Sequence, residues 1–159
     1  MAEYYQLVPG YVVRPERYGP DVFQNVGGLG WTDQQGLSRG WGTTFRGKAG
    51  ISNWFHFPIT NPTILAGTRL FCNLAAVTAN LQATDAFLQA FHLWDRVTRF
   101  AAFDNLNVTG DFGNIWSAGQ TVFTFPDHQV DGAVGISVLV FFDSDSEVTF
   151  TGAGLRFHN

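Results

Sequence analysis

At 159 residues, with 45% hydrophobic and 16% aromatic side chains, the chain carries enough apolar surface for one folded core and does not read as disordered. Its formal net charge is −4, and its nine basic residues, one of them Lys, are scattered, which excludes both the basic footprint of a nucleic-acid binder and a polybasic membrane patch. Cys72 is the single cysteine, so an internal disulfide and a cysteine-built zinc site are also excluded.

In chain order, residues 1–19 (MAEYYQLVPGYVVRPERYG) show no basic segment leading into an apolar core. No secretory signal is expected there, and the cytoplasm is the default location. No apolar run reaches the roughly 18 residues of a membrane span. Strands are predicted at 4–8, 11–14 and 21–26, and the segment 1–26 is a candidate to cover a sheet face. Residues 27–40 (GGLGWTDQQGLSRG) are Gly-rich and polar, which predicts a mobile surface loop. Further strands are predicted at 41–46, 51–59, 68–80, 85–95, 97–104, 120–126, 133–142 and 147–157. These segments are rich in Val, Ile, Phe, Thr and Trp, with Gly, Asp, Asn or Pro between them. A helix competes only over NLAAVTANLQATDAFLQA, where Leu74, Val77 and Leu81 have helical spacing; no cap precedes it and Thr and Asn interrupt it, so strand is favoured. The sum is a single all-β domain over 1–159, an antiparallel two-sheet sandwich of jelly-roll type.

Two strands are apolar on both faces. Val134, Ile136, Val138, Val140 and Phe142 share one side, with Leu139 and Phe141 opposite. Over 85–95, alternation places Phe87, Phe91 and Leu93 on one side and Leu88, Ala90 and Trp94 on the other. A sheet with one solvated face alternates apolar with polar residues, so an N-terminal segment, a long loop or another subunit is expected to cover these strands. With only 14% charged residues against a usual figure of about 25%, self-association as a homo-oligomer is expected.

No catalytic or phosphate-binding motif is present, and His56, His92, His128 and His158 lie in different predicted elements. No metal site and no cofactor are expected. Asp143, Asp145 and Glu147 alternate as at the start of a calcium loop, but the central Gly and distal Glu are missing, which leaves a soluble hairpin tip. Cys72, between Leu70 and Leu74 at alternate positions, reads as a buried small hydrophobe. The densest constellation lies in residues 40–59, with Trp31 just upstream. If 51–59 is a strand, Trp54 and His56 share one face, and Asn53, Phe55 and Phe57 the other. Aromatic rings beside a polar group suit a small hydrophobic or carbohydrate ligand, so Trp31, Trp41, Asn53, Trp54 and His56 are the candidate ligand-binding residues. The alternative is that these aromatics are core and His56 anchors a loop.

The stretch GWGTTFRGKAGISNWFHFPITNPTIL resembles an uncharacterised bacterial family of small β-sandwich domains. The matching residues are Gly40, Trp41, Gly42 and Thr43, then Asn53, Trp54, Phe55 and His56, then Pro58 and Ile59. LWDRVTRFAAFDNLNVTGDF, AVGISVLVFF and TFTGAGLRF are similar to later segments of that family. The resemblance implies the sandwich fold and brings no activity or catalytic residues. Function is read as a non-enzymatic binding or self-assembly module. The alternative is a small cofactor-independent enzyme acting on a hydrophobic substrate, with His56 or Asp104 as general acid or base.

Overall fold

Short runs of β-branched and aromatic residues separated by turn residues bury enough surface only when many of them stack. A computed structural model describes residues 3–24, 26, 36–81, 85–112 and 119–159, and among them there is no α-helix. The strands are β1 (Glu3–Pro9), β2 (Arg14–Pro15), β3 (Phe23–Gln24), β4 (Leu37–Arg39), β5 (Gly42–Gly47), β6 (Ile51–Ile59), β7 (Ile64–Leu65), β8 (Thr68–Arg69), β9 (Phe71–Leu81), β10 (Ala86–Asp95), β11 (Thr98–Phe103), β12 (Gly110–Phe112), β13 (Val122–Gln129), β14 (Val134–Phe142) and β15 (Ser146–His158). No helix among the described residues is long and apolar enough to cross a membrane.

The strands form an antiparallel two-sheet sandwich. One sheet runs β11-β10-β14-β6-β2. In the other, β9 and β15 form the centre; β12 and β13 flank β9, while β5 and β1 flank successive parts of β15 and β3 and β4 continue from β5. β7 and β8 make a separate ribbon. From β5 to β15 the chain passes repeatedly between the sheets, as a jelly roll does. The inward side chains interlock: Phe45, Phe55 and Phe150 meet with ring centroids 4.9 Å apart for each of the pairs Phe45–Phe55 and Phe55–Phe150, and Phe91 stacks on Phe123 at 4.1 Å. Cys72 is buried between the sheets, and burial, with Asp95 and Asp127 adding to it, pushes its thiol up to about 12.

Several expectations change. Residues 11–14 are not one strand: Gly10–Val12 form a 3-10 turn before β2. The turn presses the backbone against β15 so closely that a Cβ on Gly10 would meet the Phe150 carbonyl oxygen at 1.9 Å. Rather than covering a face, β1 extends one sheet by pairing with β15, and β2 extends the other by pairing with β6. Of the expected loop 27–40, residues 27–35 lie outside the described residues, while Leu37–Arg39 form a strand paired with Gly42–Thr44. The facing of Phe87 and Leu88 is reversed. A bulge between Leu88 and Ala90 adds one residue to β10, so Leu88 pairs with inward Val140 and Phe87 with outward Phe141. Alternation counted through the bulge puts both on the wrong side.

Candidate functional site

The outer face of the five-stranded sheet is half covered. Residues 104–107 fold back at one end: Leu106 N–H donates to the Gln89 carbonyl (2.9 Å), and a shallow depression separates the segment from Ala90 and Leu139. The other end stays open as a concavity of about 790 Å³.

Strand register explains what lies there. β6 and β10 both run antiparallel to β14, one on each side. Ser137 therefore pairs with both His56 and His92, and Gly135 pairs with both Pro58 and Trp94. Trp54-x-His56 and His92-x-Trp94 thus flank β14 with their histidines in one row and their tryptophans diagonally opposite. Trp54 lies against His92 at 4.7 Å between ring centroids, and Trp94 lies beyond His92 at 6.5 Å. His92 is 6% exposed, and its ring is fixed by a 2.7 Å contact between Nε2 and Asp104 Oδ1. His56 Nδ1 meets Ser137 Oγ at 2.9 Å. Burial holds the His56 imidazole below its usual range, with Glu16 pulling the other way, so the ring is neutral near pH 7.

Gly135 forms the floor between Pro58 and Trp94. A Cβ built on it meets nothing within 4 Å. Glycine inside a strand weakens the strand unless another group approaches the backbone closely. Here the space above it belongs to the concavity. The rim is charged: Arg14, Arg96 and Arg99 line it together with Glu16.

The five residues singled out from the sequence separate. Trp54 and His56 share the outer face of β6, and both line the concavity. Asn53 points inward at 1% exposure. Its Oδ1 accepts the Arg17 backbone N–H (3.2 Å) and its Nδ2 donates to the Arg17 carbonyl (2.9 Å), so it ties the segment after β2 to β6. Trp41 is 54% exposed in the β4–β5 turn, with the Arg39 guanidinium 5.8 Å from its ring centroid, and does not line the concavity. Trp31 lies outside the described residues. Asp104 holds His92 and lines the shallow depression instead, so it and His56 do not share a site. Sequence reasoning missed His92, Trp94, Arg99, Gly135 and Ser137. The available signal was the repeat of Trp-x-His as His-x-Trp on a second strand.

The Ser137–His56 pair has the hydroxyl and base of a nucleophilic dyad, but Ser137 is in mid-strand. It is laddered on both sides, so its neighbouring backbone N–H groups are committed to β6 and β10 and do not converge as an oxyanion hole. Among the described residues no three His, Cys, Asp or Glu side chains converge to hold a metal ion.

No family model and no curated protein matches the chain. Among solved structures, a family two carbohydrate esterase from Cellvibrio japonicus aligns at TM-score 0.39 and 10% identity, covering 98% of this chain and 34% of its own. The enzymatically active domain of tailspike protein 4 from bacteriophage CBA120 aligns at 0.41 and 14%, covering 96% and 19%. The secreted serine protease VesC from Vibrio cholerae aligns at 0.31 and 8%, covering 72% and 21%. The chain thus spans about a third or less of these proteins, and the likeness is too distant to transfer an activity.

Proposed function

We propose that the protein is a non-enzymatic binding module whose concavity takes a carbohydrate ligand, its apolar ring face lying on the sheet. The observation that carries this reading is Gly135: an open floor near the start of β14, paired on both sides, beside Trp94 and one register step from His56, Ser137 and His92. An indole gives a flat apolar surface, and imidazole, hydroxyl and guanidinium groups around it fix the orientation of ligand hydroxyls.

The test is titration of the protein with a panel of short neutral and acidic oligosaccharides, followed by indole fluorescence. It is repeated on Gly135→Leu, which puts a side chain on the floor of the concavity from a Cβ position that has no atom within 4 Å. The expected result is saccharide binding by wild type and its loss in a variant that melts no lower than wild type. Equal binding by both proteins overturns the assignment of the site.

A further inference from the structure

We infer that the saccharide bound here is acidic, a linear carboxylated oligosaccharide lying across the strands with a carboxylate on Arg99. This deepens the binding reading above and rests on it.

The charge inventory is the starting point. The chain is acidic overall at −4, yet three of its nine basic residues rim this one concavity, against the single acid Glu16. The three arginines are not equivalent. Arg96 is committed: its guanidinium is 3.8 Å from both Asp95 and Asp131, and its methylene stem lies 2.5 Å from where a Cβ on Gly132 would stand. Arg14 shares its end of the concavity with Glu16, so that end is close to neutral. Arg99 is exposed and, among the described residues, has neither an ion pair nor a side-chain hydrogen bond.

Register gives the order of groups. One transverse row reads Pro58, Gly135, Trp94, Arg99, that is, an apolar step, an open floor, an aromatic wall and an unpaired cation. A sugar ring placed over Gly135 against Trp94 directs a substituent toward Arg99, and a guanidinium presents two parallel N–H groups that match a carboxylate. From β6 to β11 the row crosses three inter-strand steps, about 14 Å, which more than one sugar ring is needed to span. β11 and β2 are the two edges of this sheet, and neither pairs with a further described strand. Among the described residues no strand closes the row at either end, which suits a chain ligand. Single-stranded nucleic acid also stacks on aromatics, but it calls for a basic groove along its whole backbone, and here one end is near neutral.

The experiment is calorimetry on the full chain with four kinds of probe: short oligouronates (galacturonate, glucuronate and mannuronate), their methyl esters, sulfated galactan oligomers and oligo-dT. The acid form is expected to bind at least tenfold more tightly than the ester of the same backbone, as loss of a charged hydrogen-bonding partner predicts. That advantage should shrink as salt rises. Arg99→Gln should melt like wild type and lose the preference for the acid over the ester. Equal affinity for acid and ester, or a preference that survives Arg99→Gln, overturns the acidic assignment while the binding function stands. Preference for the sulfated probe overturns the carboxylate, and preference for oligo-dT replaces the saccharide by nucleic acid. Failure of every probe overturns this inference, and failure of the neutral oligosaccharides as well overturns the binding function.

Discussion

The two glycines on either side of Trp41 show how differently the same residue type is used. A Cβ on Gly42 would stand 2.4 Å from the Phe150 carbonyl oxygen, a backbone atom that cannot swing aside, whereas a Cβ on Gly40 meets nothing within 4 Å. Gly42→Ala is therefore expected to cost about 1–3 kcal/mol, in the range of overpacking changes, and Gly40→Ala close to nothing; parallel thermal melts decide. Trp54 and His56 were legible as sharing one face because strand periodicity alone sets that. Trp54 is half-buried against His92, so Trp54→Ala should cost about 1–3 kcal/mol, less than a fully buried Trp, and lower the melting temperature. His56 adds a pH dependence. Its pKa is lowered from 6.5, so the unfolded chain takes up the proton first. The stabilising contribution of the neutral ring is intact above about pH 6.5 and is lost as pH falls from there through the folded value. Urea unfolding across pH 5–8 should show this decline, and His56→Gln should flatten it. Asp127 and Asp145 have carboxyl groups held below 3.8, mainly by hydrogen bonds from Asn73 and from the Ala49 N–H respectively, and their contributions fade only at lower pH.

At the scale of elements, what was legible was whatever repeats over many residues. β6, β9, β10, β14 and β15 are long apolar-rich runs bounded by turn residues and lie close to their expected positions. β4, β7, β8 and β12 have two or three residues each, too few for any pattern, and are defined by their partners. The site was half legible for the same reason. Local alternation grouped Trp54 with His56, but bringing Trp94 beside them needs β14 between β6 and β10, pairings across about 80 and about 40 residues that no local signal encodes. The bulge in β10 leads to a test of register. Removing Gln89 restores strict alternation: Ala86, Leu88, Phe91 and Leu93 all keep their inward positions. The deletion loses the bond from Leu106 N–H and should cost about 1 kcal/mol, leaving a folded protein. Deleting Ser137 from β14, where there is no bulge to absorb the change, turns half the strand inside out and should abolish folding. Soluble yield and far-UV circular dichroism of the two deletions separate these outcomes.

For the whole molecule, β1 is an edge strand that pairs with β15 and, among the described residues, with no other strand, and Tyr4, Leu7 and the following Tyr11 are exposed large side chains. Such an edge is a template for another chain unless charge or proline guards it, and over Glu3–Pro9 the guards are one Glu and a terminal Pro. Light scattering over a wide concentration range is expected to report a mass above 17.6 kDa that falls toward it on dilution, and Leu7→Lys should hold the protein at that mass. A constant 17.6 kDa in wild type would leave the edge without a role in assembly. The position of β15 has a further consequence, for biosynthesis. It is the last of the described strands in sequence order, yet it sits at the centre of its sheet, holding β9 on one side and β5 and β1 on the other. While the ribosome is still adding residues before 146, β9 and β5 have no shared partner, and their inward Val, Ala and Phe side chains have no completed sheet to bury them. β9 and β5 therefore stay unjoined until β15, made long after both, slides between them, a pairing of strands distant in sequence that slows folding.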